Sequence, residues 1–255
     1  NFIQRYGNPT SHLAALIDTQ GARAKAMPKV ADMVLMFAPR LWGQVDRFLR
    51  FYDQTYSFAE RDQRAAAGVR NHLQKAITLI RLAEKLRPNL QIDLDQLESR
   101  GFTPNANAEE IATVIEASIL ELYSTLDCTV KVLRAVYGKA SPGFKDSTRK
   151  VFQAPHSIKG SFPEPLRQAI AGADWYWRLL HLRDELVHLA TGSIHQDQTG
   201  AVRYDHRGLR EGEKPLTIED IFDWLEMTLA QVNDFVGLVF RHLNLTLTDR
   251  EVFQL

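Results

Sequence analysis

A single cysteine, Cys128, is the only thiol in this 255-residue chain. An internal disulfide is therefore excluded, and a reducing cytoplasm is the expected compartment. Cys128 lies inside a strongly periodic apolar segment, which reads as a small core residue and not as a nucleophile. Excess charge is also missing: Lys plus Arg and Asp plus Glu stand at 31 each. No global field draws such a chain to nucleic acid or to an anionic membrane, so any binding of that kind must rest on a local patch. Long apolar runs are absent from the first thirty residues, where Arg5, His12, Asp18, Arg23 and Lys25 interrupt the sequence. Neither a secretory signal nor a membrane span is expected there. There are no internal repeats and no low-complexity tracts. The chain opens on Asn1 and not on Met, which suggests further residues upstream.

What is present is a helical pattern over nearly the whole length, long enough to bury a core without a metal or a disulfide. Pro28 marks one helix start, and Pro39 forces the next helix to kink or restart. "SFAE" at Ser57 to Glu60 reads as a capping box opening a helix with Val69, Leu73, Ile77 and Ile80 on one face, which stops near Pro88. "DLDQLESRG" is a short helix closed by Gly101. From Asn107 to Tyr137, Ile111, Ile115, Leu122, Leu126, Leu133 and Val136 fall at three- and four-residue spacing, as on one face of a long bundle helix. Proline and glycine break the stretch from Gly138 to Pro165. Between Lys139 and Lys159 it holds Lys145, Arg149 and Lys150 with only Asp146 as counter-charge, the best local candidate for touching phosphate.

Asp174 reads as the cap of the next helix and Gly192 as its end. Ile194, Val202 and Tyr204 around a Gln-Thr-Gly turn read as a small β-hairpin. "TIED" at Thr217 to Asp220 then opens a final helix, whose Ile218, Phe222, Leu225, Leu229, Val232, Val236, Val239 and Leu243 require an antiparallel neighbour.

The helix between these caps carries the chemistry. At about 100° per residue, Trp175, Leu179, Leu182, Leu186 and Leu189 form a core stripe. Trp177, His181, Asp184 and His188 gather on roughly the opposite side, with Arg183, Tyr176 and Val187 between. A purely solvated face has no need of tryptophan, so a second, partly buried surface is expected there. Two chemistries suit it. His181, Asp184 and His188 have spacing for a metal ion. Alternatively, Arg183 holds a phosphodiester while His188 moves a proton near neutral pH.

"RDELVH", Arg183 to His188, resembles the R-x4-6-H signature of the HEPN superfamily, the higher eukaryote and prokaryote nucleotide-binding domains, in which a polar residue commonly follows the arginine. The resemblance covers roughly residues 105 to 245. It implies an all-α, HEPN-like antiparallel bundle over 105–255 with a hairpin insertion; residues 1–104 lie outside the resemblance and read as an N-terminal helical region packed on it. It also implies a metal-independent endoribonuclease, without a cofactor, that works as a homodimer through the helix from Asp174 to Ala190. Arg183 would bind the scissile phosphate, His188 act as acid or base, and Asp184 orient one of them. Lys145, Arg149, Lys150, Trp177 and His181 would contact RNA. Tyr176, Leu180 and Val187 would serve the dimer interface, and Trp177 would border the cleft. Toxin–antitoxin or antiviral systems, with a protein antitoxin or regulator, are the implied setting.

The alternatives are a non-catalytic dimerising or nucleotide-binding module and a metal-binding bundle. In the bland reading Arg183, Asp184 and Glu185 are surface charges and His188 caps its helix. His195 and His206, read as exposed hairpin residues, are further candidates for RNA contact.

Overall fold

The fold is described from a computed structural model, which covers residues 41–247 apart from Ala190, Gln198, Gly212 and Glu213. The expectations at Pro28 and Pro39 lie outside these residues. The described chain is mostly helical, with one small antiparallel sheet. Its helices are α1 (Leu41–Phe51), α2 (Glu60–Leu86), α3 (Leu90–Arg100), α4 (Ala106–Tyr137), α5 (Thr148–Gln153), α6 (Glu164–Ala171) and α7 (Trp175–His188). After α7 come β1 (Ser193–Gln196), β2 (Val202–Glu211), β3 (Lys214–Ile218) and a last helix, α8 (Ile221–Asn244). Among the described residues no helix is long and apolar enough to cross a membrane.

α4 is the axis of the molecule. The face expected from sequence is buried at Ile111, Ile115, Leu122, Leu126 and Leu133, and burial extends to Ile119, Cys128, Val130 and Val132. Such a helix must be covered on more than one side. α2 lies along it most extensively, burying Ala65, Ala66, Val69, Leu73, Ala76, Ile80 and Ala83, whose small side chains allow close approach. α8 finds its antiparallel neighbour in α1. Asn244 Nδ2 donates to the Gln44 carbonyl at 2.9 Å, and Phe240 meets Phe48 edge-on at 5.4 Å. The division drawn at 104/105 falls in the turn before α4, and the helices on both sides of it share one core.

Three helix starts differ from expectation, each for a local reason. α2 begins at Glu60 with Ala59 at its N-cap and no side-chain cap bond. Phe58 is buried against Phe48 and Tyr52, which sets the path into the helix and leaves Ser57 outside it. Asp174 already has helical dihedrals, φ −60° and ψ −31°, so its carboxylate is not placed to cap α7. α8 is capped by Asp220, whose Oδ1 accepts from the amides of Phe222 at 2.9 Å and Asp223 at 3.3 Å. Thr217 and Ile218 belong instead to β3, a third strand beyond the expected hairpin. Their β-branched side chains suit a strand: Ile218 is buried, and Thr217 donates to Asp205 Oδ1 at 2.7 Å. Gly101 does close α3, at φ 74° in the left-handed region.

These caps predict that Asp220→Ala lowers stability by about 1 kcal/mol, whereas Ser57→Ala stays within about 0.5 kcal/mol. Urea denaturation of both variants measures this, and a larger loss at Ser57 would restore the capping box.

Candidate functional site

α7 is loaded from three directions. Tyr176 and Leu180 are buried, and the Tyr176 ring stacks on Phe152 of α5 at 3.8 Å and lies 6.2 Å from Tyr123 of α4. Leu179 and Leu182 enter the central core. Arg178 reaches the Thr217 carbonyl on β3 at 3.4 Å, and Glu185 lies against Gly208 on β2. Two expectations change as a result. Tyr176 and Leu180 belong to the chain's own core and are unavailable to a dimer interface, because α4 and α5 cover that side. The core stripe also ends early: Leu189 follows the last helical residue and is 76 % exposed, while Val187, the third residue expected at the interface, is 47 % exposed.

Trp177, His181, Asp184 and His188 share a strip of α7 about 60° wide on the helical wheel. His181 and His188 are exposed, while Trp177 and Asp184 are half-buried. Trp177 packs edge-on against Tyr176 at 5.1 Å. Arg183 starts outside the strip, and its long side chain turns towards it. Nη1 donates to Asp184 Oδ1 at 2.8 Å, and the guanidinium carbon lies 4.9 Å from the centre of the Tyr123 ring. The arginine side chain remains 32 % exposed. In an ideal helix His188 and Arg183 stand about 140° apart, and α7 runs as one continuous helix through both.

The basic segment is anchored beside this arrangement. Thr148, at the start of α5, donates to Asp127 Oδ1 at 2.7 Å, and Asp127 lies one turn beyond Tyr123 on α4. Thr148 and Arg183 are thus docked a turn apart along α4. Arg149 and Lys150 follow Thr148 and are exposed, as is Lys145 in the preceding turn. Asp146 is paired with Arg134 of α4 at 2.9 Å, so it does not neutralise these three.

Two other readings are corrected. Among the described residues no three His, Cys, Asp or Glu side chains are grouped to hold a metal ion, so the set of His181, Asp184 and His188 does not form such a site. Asp184 is already committed to Arg183. His206 is a wholly buried β2 residue and not an exposed loop histidine, and its Nδ1 accepts from the Leu209 amide at 3.2 Å. His195 is exposed, as expected, on the outer face of β1. Burial pushes the Cys128 thiol up to about 11, in keeping with an inert core residue.

Glu116 escaped the sequence reading. From α4 its Oε1 accepts from the Gly192 amide at 2.6 Å and the Tyr204 hydroxyl at 3.0 Å, tying the exit from α7 and the inner face of the sheet to the bundle. Burial pushes its carboxyl above the usual range, against the opposing pull of Gly192, Tyr204 and His206. A lone acid on the flank of an apolar helix was its only signal. Gly192 is required by closeness: a Cβ there would overlap the buried Tyr204 ring.

Comparison of the chain with protein-family models, with curated proteins and with solved structures finds no match. The site therefore rests on its own geometry.

Gly192→Ala is expected to cost about 1–3 kcal/mol, since the rigid ring leaves no room to yield. A melting temperature equal to that of the parent protein would refute the close approach. Glu116 adds a pH dependence. A carboxyl whose folded pKa is raised contributes stability that is complete below its ordinary 4.5 and is lost as pH rises through the folded value. Glu116→Gln keeps an acceptor for both donors and has no such loss. Its stability relative to the parent should climb as pH rises from the ordinary carboxyl value of 4.5 through the raised folded value, and a falling difference in urea titrations would reverse the assignment.

Proposed function

We propose that the chain is a metal-independent endoribonuclease of HEPN type, acting as a homodimer across the strip of α7 that holds His181 and His188. The observation that carries this reading is the state of Arg183. Its guanidinium is fixed by Asp184 and the Tyr123 face at the edge of that strip, and stays partly open to solvent. A planar fork held in this way suits a phosphodiester. Lys145, Arg149 and Lys150 extend the positive surface on the neighbouring α5 side.

In one chain His188 and Arg183 diverge, so a second copy completes the cleft. The exposed Val187 and Leu189 beside His188 supply apolar area for that contact. One His188 accepts the proton of a ribose 2′-hydroxyl, whose oxygen bonds to phosphorus. The bond from phosphorus to the 5′-oxygen breaks, and the His188 of the second copy protonates the leaving oxygen. The products are a 2′,3′-cyclic phosphate and a 5′-hydroxyl. Arg183 holds the non-bridging oxygens throughout, and Asp184 keeps the guanidinium in place.

A binding-only module is the second reading, favoured by the charge neutralisation that Asp184 already gives Arg183. One experiment separates the two: incubation with a mixed RNA substrate in EDTA, with Arg183→Ala and His188→Ala tested alongside. The nuclease should leave cyclic phosphate ends, spare DNA, and lose at least about 100-fold in kcat/KM in either variant. RNA bound but uncut by a folded dimer would leave the binding module, and undiminished cleavage in His188→Ala would remove His188 from the mechanism.

A further inference from the structure

We infer that Tyr123 is a positioning residue for Arg183, presenting its ring face to the guanidinium so that the remaining N–H donors point at a bound RNA phosphate. This inference rests on the nuclease reading above and adds a residue from a different helix. Arg183 carries a long side chain with many accessible rotamers. One hydrogen bond to the adjacent Asp184 fixes one nitrogen and leaves the plane free to turn. The Tyr123 ring, 4.9 Å from the guanidinium carbon, supplies the missing constraint, because a cation over an aromatic face is held by the ring quadrupole. The two restraints act on different parts of the same fork.

The ring can do this because it is itself immobile. Tyr123 is 9 % exposed and packs on Tyr176, which is pressed between Phe152 of α5 and Trp177 of its own helix. Phe152 in turn meets Phe235 of α8 at 5.7 Å. The chain of rings therefore relays the position of the bundle core to Arg183, and places α5 with Arg149 and Lys150 in the same frame. Burial pushes the Tyr123 phenol above its ordinary value, so the group meeting Arg183 is a neutral ring and not a phenolate. Arg183 meets the ring face, so the positioning role is assigned to the aromatic face and not to the hydroxyl.

Tyr123→Phe and Tyr123→Leu separate those two features. With the RNA substrate in EDTA, Tyr123→Leu should lower kcat about 10- to 100-fold, the effect of a misplaced catalytic group. KM should stay within about threefold and Tyr123→Phe within about threefold of the parent protein in kcat. Equal losses in the two variants, or none in Tyr123→Leu, would overturn the inference while leaving the nuclease reading in place. A second measurement does not depend on cleavage. The Arg183 δ-protons should show an upfield ring-current shift by NMR in the parent protein and Tyr123→Phe. A random-coil position in the folded parent protein overturns the inference whatever the activity. Should the parent protein bind RNA without cutting it, affinity for the same RNA in a double-mutant cycle of Tyr123→Leu with Arg183→Ala reads the pair. Coupling of about threefold or more supports the positioning role even though the nuclease reading has failed, and additive effects refute it.

Discussion

A helix of 32 residues that is apolar on more than one side cannot be stable until it is wrapped, and α4 imposes that demand on the rest of the chain. α2 covers one side along most of its length, α7 and α8 cover others, and β1 lies over the flank at Glu116. The alanine-rich face of α2 and the single Cys128 both answer the same need for small side chains where two long helices run close. Remove the apolar excess of α4 and there is no reason for the sheet, α5 or α7 to sit where they do.

The candidate site is a by-product of that wrapping. α7 is held by α4 and α5 through Tyr176, by the core through Leu179 and Leu182, and by the sheet through Arg178 and Glu185. What remains is a narrow polar strip, and Arg183 at its border is the one motif residue with two identified anchors. Glu116 fixes the chain at Gly192, just before β1, by taking two donors at one oxygen, and ties that point to Tyr204 of β2.

Periodicity made the long elements legible. Ile111 to Leu133 on α4, Val69, Leu73 and Ile80 on α2 and Phe222 to Leu243 on α8 are buried as their spacing requires, with Ile77 half-buried, and Gly101 ends α3 as a left-handed cap should. Short-range capping signals were less dependable. Ser57 and Thr217 have the right chemistry, yet Phe58 and Ile218 beside them bury apolar surface elsewhere, and burial outweighs the roughly 1 kcal/mol that a cap contributes. His206 was misplaced for a similar reason: strand alternation beyond the hairpin turns it inward opposite Leu216, and a sixteen-residue stretch of mixed polarity gives little hint of a third strand.

By itself the sequence determined the helical class, the long helices with their core faces, and a strip of Trp177, His181, Asp184 and His188 on one side of α7, because side-chain direction in a helix follows from 3.6 residues per turn. Only the tertiary structure decided that His181 and His188 of this strip stay exposed while Trp177 and Asp184 are half-buried, that Tyr176 and Leu180 belong to the core, and that Arg183 lies on Tyr123. Those outcomes depend on partners on other elements, 24 to 76 positions away, such as Phe152 for Tyr176, Tyr123 for Arg183 and Glu116 for Gly192. Spacing along one helix carries no information about which distant side chain will be packed against it.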